Sequence, residues 1–269
     1  MSEALSKTLH GDFDSVFHEV TQPEKVAWTT EGQLRLFHLN IRNNKFNPEE
    51  MKTLLYRNIG EYVFSRAKIE NFKVSGDAFA VGAQAIRVIN KNGSADVKGT
   101  GAELGEMLLY SFLEEKLKAP KLMSRVELST DAKQYASTCD GIHLLTSGTS
   151  GLPYHQVVFG ASSIVGDLTY AIDAAFNSIL EIENNEDNEL HMVDNVIFDR
   201  LLNDDEVELA KEIFVPSPNK RTSYNTSYGV FLGYTLGLDP ALYPLHEFPD
   251  IAEEKMAQSQ NLWDLGFLT

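Results

Sequence analysis

One stretch constrains this chain more than any other: DGIHLLTSGTSGLPYHQVVFGASS, residues 140–163. Its flanks carry the β-branched, leucine and aromatic residues that suit strands, and its middle is almost wholly Gly, Ser, Thr and Pro. Two strand-forming runs joined by so short a connector are expected to lie side by side as a hairpin, with Gly148 and Gly151 supplying the positive φ such a connection needs. The same middle, TSGTSGLP, can also be read as a phosphate-cradling loop, because small residues let backbone N–H groups wrap phosphate oxygens.

The phosphate reading is the weaker one. The segment resembles the Thr/Ser/Gly-rich signature of adenylate-forming enzymes, but that signature closes on a basic residue and Tyr154 stands here. No Gly-Lys-Ser/Thr follows, so it is not a Walker loop. A small-molecule enzyme built on this loop remains a rival that predicts ATP-dependent protection of residues 146–153.

Around the hairpin the order is helix, three strands, helix. GAELGEMLLYSFLEEKL reads as helical, SRVELST and STCDGIHLL as two strands joined by the polar DAKQYA, YHQVVFGASS as a third strand, and VGDLTYAIDAAFNSILEI as a helix. Upstream, KVAWTTEGQLRLFHLNI carries two short strand-like runs around Glu31-Gly32. FNPEEMKTLLYRNIGEYVFSR is a helix with Asn47 as N-cap, Pro48 at the first helical position, Glu50 closing a capping box, and Phe46 with Met51 as a hydrophobic staple. GDAFAVGAQAIRVI reads as a second helix, and the polar, Gly-bearing NKNGSADVKGTG as a boundary. Downstream come the acidic EIENNEDNE, read as a solvated helix end, a helix over about 190–214, the strand SYGVFLGYTLG and a final helix in IAEEKMAQSQNLWDL. This gives an N-terminal α/β region (1–95), a core (96–185) and a C-terminal part (186–269) that completes the same domain.

Composition narrows the function. Thirty-nine Asp and Glu against 23 Lys and Arg give a net charge of −16. A protein that grips DNA alone usually presents a basic surface, because affinity comes from neutralising phosphates. This chain either avoids nucleic acid or reaches it through a partner. One cysteine, Cys139, excludes a disulfide framework and a multi-cysteine zinc site. There is no apolar run of membrane-spanning length and no secretory signal core near the N-terminus, so the expected location is cytoplasmic.

Two acids stand out. On a regular strand Asp140, Ile142 and Leu144 share one face, while Cys139, Gly141, His143 and Leu145 share the other, so His143 is not expected to partner Asp140. Glu106 lies on or beside the stripe formed by Leu109, Leu113 and Leu117, where a carboxylate is costly unless paired or bound to a cation. Gly101 and Gly105 would let that helix start pack closely on a sheet.

A helix glutamate, a strand aspartate, a hairpin and a third strand resemble a PD-(D/E)xK nuclease core, in a restriction-endonuclease-like α/β fold expected at about residues 95–182. The succession GAELGEMLL, CDGIHLL, a strand ending FGASS and the helix YAIDAAFNSI is more specific. Together with NPEEMKTLLYRNIGEYVFSR and SYGVFLGYTL it resembles the HamA-like effector nucleases of Hachiman anti-phage defence, over most of the chain. No single motif is diagnostic; their order is. The resemblance implies a Mg2+-dependent DNase, with Glu106 and Asp140 as metal-binding acids. It also implies a superfamily 2, HamB-like helicase partner that engages the DNA. In that family the third strand reads like Gly-Glu-Ser-Lys, so Ala161 and Ser163 stand where Glu and Lys are expected. Alanine cannot ligate a metal through its side chain, and serine carries no charge to polarise water. The chain is therefore expected to be inactive and to bind Mg2+ weakly or not at all, whether as an engineered form or as a natural degenerate member. A non-catalytic scaffold or sensor subunit on the nuclease fold is the alternative.

Overall fold

The structure is a computed structural model that describes residues 5–20, 34–92, 102–127, 139–147, 154–164, 166–187, 189, 206–208, 210–211 and 224–259. It is a mixed α/β protein with no closed barrel among these residues. The chain divides into two compact units that interleave along the sequence, residues 1–10 with 57–234, and residues 11–56 with 235–269. None of the described helices is long and apolar enough to cross a membrane.

The smaller unit holds two short antiparallel pairs. Strand β1 (Phe17–Glu19) pairs with β2 (Phe37–Leu39), and β3 (Ile41–Arg42) with β4 (Lys45–Phe46). The second pair turns on Asn43 and Asn44, both at positive φ, as a two-residue hairpin of this hand requires. Helix α1 (Pro48–Val63) starts as its sequence predicts, with the Glu49 N–H donating to Asn47 Oδ1 at 3.2 Å. The capping box does not close. The Asn47 N–H already donates to the Asn40 carbonyl at 2.8 Å, and Glu50 pairs instead with Arg42. The first strand-like run expected near Lys25–Trp28, and the Glu31-Gly32 turn, lie outside the described residues.

The larger unit is built on four strands: β5 (Lys121–Ser124), β6 (Gly141–Ser147), β7 (Tyr154–Ile164) and β8 (Tyr224–Gly233), in that spatial order. The first two pairings are antiparallel and the last, β7 with β8, is parallel. Ser147 opposes Tyr154, so residues 148–153 join antiparallel neighbours, as the hairpin reading requires; the loop itself, with Gly148 and Gly151, lies outside the described residues. A parallel neighbour needs a crossover, and α5 (Leu168–Asn184) lies between β7 and β8 in the chain. Asp167 caps it, accepting from the Tyr170 N–H at 2.9 Å.

The two faces of this sheet are covered by different helices. Ile142, Leu144, Val157, Phe159 and Ala161 form one core with Ile182 of α5. Helix α4 (Ala102–Lys116) packs on the other face, where Leu109 and Leu113 meet Val158, with Leu117 beside them, as the leucine stripe predicts. The approach is close because Gly160 and Gly229, paired across β7 and β8, carry no side chain. A Cβ on Gly160 would come within 2.5 Å of Leu109, and one on Gly229 within 2.8 Å of Leu113.

Three expectations need correction. The described part of SRVELST, residues 124–127, does not continue as a strand: β5 ends at Ser124, where SRVELST begins. Ser124 Oγ accepts from the Glu127 N–H at 3.3 Å and Glu127 returns the bond to the Ser124 N–H at 2.9 Å, a capping box that starts a helical turn. The acidic run is not wholly solvated, since Glu189 is buried beside Cys139, whose thiol lies 3.5 Å from its carboxylate. The single helix read over 48–66 is followed by a separate α2 (Arg66–Val74) and then α3 (Val81–Asn92). The polar boundary at 93–101, the DAKQYA link and most of the 190–214 helix lie outside the described residues.

Candidate functional site

Helix α4 carries Glu106 on its first turns, directly over the sheet. Gly105 is what lets it sit there, because a Cβ at that position would lie 2.8 Å from Ser162 Oγ. Asp140 comes from the residue preceding β6. Both carboxylates are buried, and the structure brings them together through one cation. Arg125 Nη1 lies 2.8 Å from Asp140 Oδ1 and 3.5 Å from Glu106 Oε1. Arg125 is placed by the capping-box turn that follows β5, and its own N–H donates to the Asp140 carbonyl at 3.2 Å.

The remaining carboxylate oxygens are also engaged. Tyr62, near the end of α1, donates its hydroxyl to Glu106 Oε2 at 2.5 Å. Burial, and then the Glu106 charge, push the Tyr62 phenol well above its ordinary value, so it remains a donor. Asp140 Oδ2 accepts from both the backbone N–H and the hydroxyl of Ser162, each at 2.7 Å. Burial, followed by repulsion from Asp140, raises the Glu106 carboxyl to about 7; the Tyr62 hydrogen bond and Arg125 oppose the rise. The site is a half-buried ionic cluster of two acids and one arginine, in which Glu106 is poised to exchange a proton near neutrality.

Ala161 and Ser163 are not part of this cluster. Ala161 is 1% exposed and packs with Ile142 and Phe159 on the α5 side. Ser163, two residues on, shares that side. The β7 residues that face α4 at this point are Ser162 and Ile164, both of which a Cβ on Gly105 would touch. The regular-strand reading fails at one point. Gly141 pairs with Gly160, yet the Asp140 N–H also donates to the Gly160 carbonyl at 2.8 Å, so two residues answer to one and the strand is bulged. The bulge leaves Cys139 and Ile142 in the core and turns the Asp140 carboxylate towards Ser162, on the α4 face. On neither face does β7 carry a glutamate or a lysine.

His143 lies beside Tyr110 of α4, on the face to which Asp140 also turns, so the opposite-face expectation does not hold, but its ring is engaged elsewhere. It is fully buried, its Nδ1–H donates to the Ala119 carbonyl at 2.8 Å, and burial pushes it down to about 4, so it is neutral. Sequence reasoning missed Tyr62, Arg125 and Ser162. Only Arg125 left a trace, in the Ser124-x-x-Glu127 capping pattern that fixes its backbone.

The sequence profile of the HamA family matches residues 13–264, nearly the whole chain. The chain belongs to the HamA family. Comparison with curated proteins gave no match. Membership supports an effector role in Hachiman anti-phage defence, and the acid pair described above is the HamA chain's candidate centre.

Proposed function

We propose that this HamA chain is a defence effector with a nuclease-type centre at Glu106 and Asp140 that is catalytically silent as it stands. The order α4, three antiparallel strands, α5 and parallel β8 supports a PD-(D/E)xK-type, restriction-endonuclease-like core. The observation that carries the silence is Arg125, lodged between the two carboxylates where a divalent cation would need to sit.

The residues present do not fit a catalytic magnesium. That ion needs near-octahedral oxygen ligation with room for waters and a phosphate oxygen. Here each carboxylate spends one oxygen on a protein donor and shares the other with a guanidinium. No third acid and no lysine reach the site from β7. The chain therefore binds Mg2+ weakly or not at all in this form. With 16 net negative charges it meets DNA mainly through a partner, for which a superfamily 2 helicase subunit is the reading.

The test combines the chain, its helicase subunit, linear DNA and magnesium. The unaltered chain leaves the DNA intact. Placing an E-x-K pair on the α4 face, by Ser162→Glu with Ile164→Lys, yields metal-dependent cleavage that Asp140→Ala abolishes; Ala161→Glu with Ser163→Lys, facing α5, does not. Cleavage by the unaltered chain that disappears with Asp140→Ala would overturn the silence. A folded, partner-bound but inert Ser162→Glu/Ile164→Lys variant would overturn the assignment of β7.

A further inference from the structure

The smaller unit contains a second cluster that the defence role does not use. On β1 and β2, His18 and His38 are directly opposed partners, and their rings lie 5.1 Å apart. Helix α6 (Phe248–Ser259) buries Phe248, Ala252 and Met256, one face at helical spacing. Glu253, beside that face, reaches both histidines. Its Oε1 is 3.4 Å from His18 Nε2 and 3.8 Å from His38 Nε2.

We propose that His18, His38 and Glu253 form a zinc site that ties the β1–β2 pair to α6. Two imidazoles and one carboxylate, with a fourth position left for water, are a common zinc donor set. Two ligands about 2.1 Å from a tetrahedral zinc lie about 3.4 Å apart, close to the two separations observed here. One ligand atom from each residue lies within 4.8 Å of the others, so small side-chain rotations close the set.

His38 supplies the independent argument. Its Nδ1 lies 2.8 Å from the Leu39 carbonyl, and a carbonyl can only accept, so Nδ1 carries the proton. In the neutral ring Nε2 is then a bare lone pair aimed at Glu253. It is buried and has no hydrogen-bond partner, on a side chain only 7% exposed. A buried acceptor left unmatched is costly, whereas a metal ligand held by a backbone carbonyl through its other nitrogen is the usual arrangement. The ring is further held against Phe46, which packs edge-on against Phe248 of α6. His18, 53% exposed, leaves the open side to solvent.

The site is tested with zinc ions on the full chain, free of any affinity tag and stripped with a chelator. Titration against a chromophoric zinc chelator should give one equivalent per chain with micromolar or tighter affinity. Cobalt should give the visible absorption of a four-coordinate ion. His18→Ala and Glu253→Gln each should weaken zinc by about ten- to a hundredfold or more; Glu106→Gln should leave it unchanged. His18 is exposed, so its variant keeps the test valid even if His38→Ala fails to fold. Absence of saturable zinc binding, or binding unaltered in both variants, would overturn the site.

Discussion

The carboxyl of Glu106 makes a measurable claim about stability against pH. Its value is about 7 in the folded chain against an ordinary 4.5, with burial the main cause and Asp140 the second. An acid whose folded value is raised holds its proton longer in the folded state. The protein is therefore unpenalised below 4.5, loses stability as pH rises from there to about 7, and stays penalised above. The accumulated loss is on the order of 3 kcal/mol, at about 1.4 kcal/mol per tenfold change in proton affinity. Glu106→Gln mimics the protonated form and still accepts from Tyr62. The variant should match the parent near pH 4 and exceed it by about 3 kcal/mol near pH 8. Urea denaturation followed by circular dichroism at both pH values measures the difference. Equal stability gaps at the two pH values would refute the reasoning. They would mean that Arg125, 43% exposed and 3.5 Å from Glu106, outweighs burial and keeps the carboxylate ionised.

Two further outcomes follow from packing. Ala161→Glu places a carboxylate among Ile142, Phe159 and Ile182, and should cost about 3 kcal/mol or more in thermal or urea unfolding, whereas Ser163→Lys, less buried, should cost under about 1 kcal/mol. Glu114→Ala strands four donors at once, the N–H groups of Thr8, Leu9 and Lys121 and the Thr8 hydroxyl. It should destabilise by about 4 kcal/mol or more and expose residues 5–10 to hydrogen exchange well before the sheet opens.

The fold was legible wherever pattern and packing agree. The leucine stripe of α4, the alternation along β7 and the Asn47-Pro48 start of α1 each state one periodicity or one cap, and tertiary context upholds them. Legibility failed where a local hydrogen bond competes with the pattern. SRVELST alternates like a strand, but Ser124 and Glu127 bond each other's N–H groups and start a turn instead. Glu50 matches a capping box, but the N–H it would satisfy is already given to Asn40. The seven-residue span EIENNED carries enough charge to suggest solvent throughout, yet Glu186 accepts from the Thr226 hydroxyl on β8.

The candidate centre was half legible for a reason that also fixes its chemistry. Glu106 and Asp140 are visible as acids in apolar surroundings, and their partners are not, because Tyr62 and Arg125 come from elements 44 and 15 residues away respectively. Ala161 and Ser163 were set against Glu and Lys by the order of the family's Gly-Glu-Ser-Lys strand, which says nothing of facing, whereas the β7 residue that meets Asp140 is Ser162. The bulge turns Asp140 to the α4 face, where Ser162 meets it with both an N–H and a hydroxyl. A glutamate at 162 would face Asp140 and Glu106 with a third negative charge and would need a cation to hold it. Serine needs none, and Arg125 neutralises what is left. Serine at 162 and Arg125 between the two carboxylates are thus two sides of one charge balance. A glutamate introduced at 162 should draw Arg125 or a divalent ion into competition for the same three carboxylates.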